Sequence, residues 1–116
     1  MIDTRLYVIN GLKAINLPVY NEHFITSTCE VPCISYMLTN DIQNETGQNI
    51  MYAKHYYSIK VYTKSTKEIA EYSQKVDKIM RGIGFTRTAI NELWLGEICQ
   101  FEMKYSGLAI EYMEDE

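Results

Sequence analysis

Between residues 51 and 64 the chain reads MYAKHYYSIKVYTK, and two sets of side chains alternate along its length. Ala53, His55, Tyr57, Ile59 and Val61 fall on one side of a pleated strand, and Lys54, Tyr56, Ser58, Lys60 and Tyr62 on the other, because successive strand residues point to opposite faces. CISYMLT (33–39) has the same strand character. Between the two runs lies NDIQNETGQN (40–49), polar and turn-rich, with Gly47 able to take positive φ. The pattern predicts a long β-hairpin with an exposed polar tip at 40–49.

On either side the period becomes helical. Leu6, Ile9, Leu12 and Ile15 predict a helix from Asp3 to about Ile15 that stops before Pro18. Gly11 interrupts it at a cost of about 1 kcal/mol relative to alanine. Residues 19–32 follow neither period and read as an irregular or edge segment. After the hairpin, Ser65 and Glu68 have capping-box spacing. Ile69, Tyr72, Val76, Ile79 and Met80 then make one apolar stripe, with Glu71 and Lys75 on a solvated face.

KIMRGIGFTR (78–87) closes that helix. Gly82 and Gly84 beside arginines resemble a phosphate loop in composition, but such a loop needs the N–H groups at a helix start. A helix end presents carbonyls instead, so the glycines are expected to form a C-cap. FTRTAIN (85–91) predicts a strand, and ELWLGE a turn. In 98–112 the apolar positions Cys99, Phe101, Met103 and Tyr105 give way to Leu108, Ile110 and Tyr112. That change of phase predicts one long strand with a β-bulge at Ser106-Gly107. The order α-β-β-α-β-β is that of an α+β domain. It implies a small antiparallel or mixed sheet of about four strands, with two helices on one face.

Composition narrows the function classes. A chain of 116 residues builds one core, so 1–116 reads as a single domain with a solvated acidic end at 113–116. Eleven basic against fifteen acidic residues, with no basic cluster, argues against nucleic acid as the main ligand. No apolar run approaches the roughly 18 residues of a membrane span. MIDTRLYVING lacks a leader pattern, so the chain is expected to be made in the cytoplasm. An odd cysteine count, three, fits a reducing compartment better than a disulfide framework.

Candidate chemistry is sparse. Cys29 and Cys33 have C-x-x-x-C spacing, with Cys99 remote and His23 and His55 nearby. A structural zinc site needs four ligands, usually in two tight pairs, and only one pair exists. No motif marks a Cys–His nucleophile, and His55 shares its face with Tyr57, Ile59 and Val61, as a packed histidine would. The carboxylate pairs Asp41/Glu45 and Glu111/Glu114 fall in expected loop or tail. Neither a catalytic residue nor a metal or cofactor is therefore expected. Tyr52, Tyr56, Tyr57 and Tyr62 fit core or protein contacts better than base stacking. The candidate interface comprises Asp41, Gln43, Asn44, Glu45 and Gln48 of the hairpin tip, with Tyr52, Tyr56 and Tyr62 of the strand.

Two stretches carry a family resemblance. In VPCISYML (31–38) a proline leads into a strand. In YYSIKVYTKSTKEIAEYSQKVDKIMRGIGFTR (56–87) a strand ending in KVYTKS feeds an amphipathic helix closed by GIGF and a new strand. With the order of elements over most of the chain, they resemble the tail terminator, or tail completion, proteins of long-tailed bacteriophages. The resemblance implies a non-enzymatic virion protein, made in the host bacterial cytoplasm and located at the head-proximal end of the tail. It also implies a ring of identical subunits, typically a hexamer, that caps the tail tube and presents a docking surface to the head-side connector. Its partners would be other copies of itself, the major tail tube protein and the connector or stopper protein, with no specific nucleic acid and no membrane. The alternatives are a head–tail stopper or other neck protein of the same virion, and a small cysteine-dependent enzyme.

Overall fold

A computed structural model describes residues 3–26, 28–45 and 50–112, and only the backbone of 41–45, 50–52 and 109–112. In chain order the elements are α1 (Arg5–Lys13), β1 (Val19–Asn21), a 3-10 turn (Glu22–Phe24), β2 (Cys33–Glu45), β3 (Ile50–Thr63), α2 (Thr66–Ile83), β4 (Phe85–Leu95) and β5 (Ile98–Tyr112). They make an α+β fold with one mixed sheet of five strands, ordered β1-β2-β3-β5-β4. The extra strand is β1, which pairs in parallel with β2 through Ile34–Tyr36. It lies in the segment expected to be irregular or at an edge, and it is the edge strand of the sheet; three residues are too few to show a period.

The expected alternation in β3 is the organising feature. Tyr57, Ile59 and Val61 pair with Leu38, Tyr36 and Ile34 on one side and with Tyr105, Met103 and Phe101 on the other. Together they form one apolar face, against which Val8 and Leu12 of α1, Ile15 just beyond it, and Val76 and Met80 of α2 pack. Both helices therefore cover the same side of the sheet. The buried positions of α1 are Val8 and Leu12 rather than the stripe the sequence predicts: Leu6 is 69% exposed, and the helix is shorter at both ends, leaving Ile15 beyond it. Gly11 has a steric reason, since a Cβ there would sit 2.6 Å from Ile79 Cγ2, so the glycine lets the two helices approach closely.

α2 follows its sequence signals. The Ser65 hydroxyl accepts a hydrogen bond from the Glu68 N–H at 3.4 Å, and the helix ends at Gly84 in the left-handed region, φ 113°. Only Gly84 is the cap; Gly82 lies inside the helix.

Two strand expectations need correction. β4 continues through Glu92, Leu93, Trp94 and Leu95 and turns at Gly96-Glu97, so ELWLGE is mostly strand. The β3–β5 ladder passes through His55↔Gly107 and Lys54↔Leu108 without a shift in register, so no bulge exists at Ser106-Gly107. Register shifts occur instead at Leu38/Asn40 in β2 and at Arg87/Ala89 in β4. Gly107 stands where the Phe85 ring crosses the sheet: a Cβ would meet Phe85 Cδ1 at 2.5 Å. The apolar phase changes there because β5 passes beyond the helix layer, and Leu108 on the opposite face is 60% exposed.

Candidate interaction surface

Beyond Gly107 three strands run on together. β2 pairs with β3 from Cys33↔Tyr62 to Glu45↔Met51, and β3 pairs with β5 up to Ile50↔Tyr112. Among the described residues the helix-side positions are buried out to Ala53 and His55, and the start of α1 stands level with His55 through Thr4, so the outer parts of β2, β3 and β5 form an arm projecting past the helices. About five residues beyond Gly107, at roughly 3.3 Å each, give a projection near 17 Å. The molecule measures 55 × 23 × 22 Å.

The predicted tip residues are thereby relocated. Asp41, Gln43, Asn44 and Glu45 are not in a loop but in β2, paired with His55, Ala53, Tyr52 and Met51. The polar composition of NDIQNE hid a strand because an arm without a helix layer has no need of an apolar alternation. Gln48 and the rest of 46–49 lie outside the described residues, as does the acidic end 113–116. Tyr52 sits in β3 between Asn44 and Ile110. Tyr56 is half-buried, with the Lys54 ammonium 5.4 Å from its ring centre.

Tyr62 is not an exposed contact: only 9% of it is accessible. It lies on the sheet face away from the helices, next to Cys33, and residues 22–26 and 28–32 lie over that face as a strap. Lys60 of the same face is ion-paired with Glu22. Ile25, Thr26, Cys29 and Val31 of the strap face Cys33, Tyr62, Leu95 and Ile98 across a cleft of about 290 Å³. The strap contains the cis peptide bond Val31–Pro32. Nothing in a sequence without regular period announces that it will cover a sheet face, which is why Tyr62 reads as exposed.

The three cysteines are free thiols in different settings. Cys29 is half-buried in the strap, Cys33 faces it from β2, and Cys99 is fully buried in β5. Burial pushes the Cys33 thiol up to about 11, with Cys29 adding to the shift, and burial also raises Cys99. Both shifts disfavour the thiolate, the form a nucleophile or metal ligand needs. His55 is buried, with its Nδ1 2.5 Å from the Thr4 hydroxyl, which also lies 2.9 Å from the Tyr57 hydroxyl. That network ties the start of α1 to β3. Among the described residues no three His, Cys, Asp or Glu side chains are grouped to hold a metal, and no helix is long and apolar enough to cross a membrane.

Sequence reasoning found the start of β4 at 85–91 but missed its continuation to Leu95 and the exposure of its apolar side chains. From Thr88 to Leu95 every residue is exposed, including Ile90 at 49%, Leu93 at 45%, Trp94 at 40% and Leu95 at 55%. The signal was present: Leu93-Trp94-Leu95 is an apolar run, uncharacteristic of a turn. Compared with family models and with curated proteins, the chain has no match.

Proposed function

We propose that this chain is a structural subunit of a phage tail, forming a ring, typically a hexamer, that caps the head-proximal end of the tail tube. On this reading it ends tube growth and offers the connector its docking surface. The observation that supports it is the arm of β2, β3 and β5, which extends past the helix layer. A projecting three-stranded arm gives a small domain the reach to contact a second body while its helix-covered part packs among its neighbours. The resemblance of 31–38 and 56–87 to tail terminator proteins supplies the identity of that body. No chemical step is required, because the work is done by heterologous contacts between subunits and by stacking of one ring on another.

The test is tail length, measured by electron microscopy on particles produced without this protein. Tails of scattered, abnormal length without heads are the expected result. Tails of normal length that fail to join heads would transfer the chain to the stopper or neck class. Normal infectious particles would overturn the virion reading altogether.

A further inference from the structure

β4 is both an edge of the sheet and exposed on its two faces. Ile90 and Trp94 pair with Met103 and Cys99, the helix-side positions of β5, whereas Leu93 and Leu95 pair with Gln100 and Ile98 on the opposite side. Soluble proteins guard an open edge with lysine, proline or short length. β4 has a register shift at Arg87/Ala89, but from Ala89 to Leu95 it runs on without a further shift, lysine or proline and exposes four large apolar side chains. A strand apolar on both flanks with an open backbone ladder is suited to receive another strand.

The same sheet has a second open edge. β1 covers β2 only at Ile34–Tyr36, so Met37–Glu45 has no second neighbouring strand among the described residues. Orientation favours a match between the two edges. β2 and β5 run one way, β3 and β4 the other. A second copy set beside β4 in the same orientation therefore presents β2 antiparallel to it, with the helices of both copies on one side.

Level agrees with that match. β4 stands level with 98–107 of β5, whereas Met37–Glu45 stands, through β3, level with 104–111. Centring one edge on the other needs an offset of about five residues, roughly 17 Å, against a repeat of four strands, roughly 19 Å wide. Those values incline the strands by about 40°, within the tilt that lets a staggered sheet close on itself. In this register Glu45 of β2 falls level with Thr86, next to Arg87, which is itself 3.9 Å from Asp77, while Asp41 falls level with Asn91.

We propose that β4 of one copy adds to the Met37–Glu45 stretch of β2 in the next, so that the sheet runs continuously, head to tail, from subunit to subunit. This deepens the ring reading and rests on it for the choice of a second copy as occupant.

The experiment is native mass spectrometry with light scattering on the whole chain and two double variants. Ile90→Lys/Leu93→Lys alters the β4 edge, and Met37→Lys/Asp41→Lys the β2 edge. Each variant alone should be monomeric where the unmodified chain assembles, with subunit affinity weakened about thirty-fold or more. Mixed one to one, they should form dimers and nothing larger, since each keeps one good edge. If the β4 variant assembles like the unmodified chain, the proposal is overturned and the ring reading stands. If the β2 variant alone stays assembled, an isologous β4–β4 contact replaces it. An unmodified chain that remains monomeric at every concentration overturns the ring reading and the proposal together. Far-UV circular dichroism checks that each variant is folded; a misfolded β4 variant is replaced by Leu93→Ser alone and a misfolded β2 variant by Met37→Ser alone, milder changes at exposed positions, with the same readout.

Discussion

β3 and β4 belong to one sheet, separated only by β5, yet their environments differ on both faces. From Tyr57 to Thr63 β3 is buried at every position except half-buried Lys60, because helices cover one face and the strap covers much of the other. β4 has one buried residue, Phe85, at its start and none from Thr88 onward. Both strands carry large apolar side chains, so hydrophobic content does not decide which is buried. Position in the layers does: α1 and α2 cover the middle of the sheet and leave its last strand open. What the comparison teaches is that the stability of this subunit resides in β3, while β4 is available for another molecule.

The strongest way to break that contrast is to truncate equivalent side chains on the two strands. Ile59→Ala should cost about 2–5 kcal/mol, the range for a fully buried isoleucine that leaves a cavity. Leu93→Ala should change stability by no more than about 0.5 kcal/mol, as exposed substitutions usually do. Urea unfolding of the isolated monomer measures both. Comparable losses at the two positions would show that β4 is packed within the subunit.

A smaller effect separates the covered body from the arm. Gly107→Ala forces a methyl group into the Phe85 ring, with no room for it unless the buried ring moves. Overpacking of this kind costs about 1–3 kcal/mol. Because the two residues touch, the double variant Gly107→Ala/Phe85→Leu should lose less than the sum of the single losses. Simple additivity would mean that the ring does not lie over the glycine in solution.

How much of this was legible in the sequence follows from the same contrast. The alternation of β3, the cap Ser65 and the terminus Gly84 were readable because each obeys a local rule: period two, a side-chain acceptor for a helix N–H, a positive φ. The strap over Tyr62 was not, since covering a face at a distance leaves no local period. The outer part of β2 was concealed by composition, because polar residues in a two-sided arm resemble those of a turn. Gly107 misled for a related reason. A glycine at a phase change signals a bulge or a close approach, and only the position of Phe85 distinguishes them. Of the candidate interface, the sequence placed Tyr52 and Tyr56 on the right strand, put Asp41–Glu45 in a loop, and passed over Leu93 and Trp94.

Thiol labelling sharpens the comparison at the strap. Cys29, half-buried, should react with a small alkylating reagent near neutral pH well before Cys33 and Cys99, which are buried and hold their protons more tightly than usual. Cys33 should be labelled at the rate of strap opening and Cys99 only with wider unfolding. Equal rates for all three, read by mass spectrometry, would mean that the strap does not hold the face it covers.

The smallest expected effect concerns the polar tie between the body and β4. Asp77 of α2 accepts hydrogen bonds from Arg81 at 2.7 Å and from the Tyr105 hydroxyl at 3.0 Å, with Arg87 of β4 at 3.9 Å. Burial alone would raise the Asp77 carboxyl. The hydrogen bonds from Arg81 and Tyr105 and the nearby guanidinium charges outweigh it and hold the group below its usual range. A carboxylate depressed in the folded state adds stability at pH values above its unfolded pKa of about 3.9, and that stability is lost as pH falls through the folded value. The unmodified chain should therefore be more stable than Asp77→Asn at about pH 7 and about pH 5 by the same margin, and the gap should close below about pH 4. Asp77 is partly open to solvent and Arg81 about half exposed, so screening keeps the margin small. Urea midpoints across that range measure it. A gap that persists unchanged at about pH 3 would show that Asp77 stabilises the fold through neutral hydrogen bonds alone, leaving Arg87, and with it β4, without an ionic tie to the body.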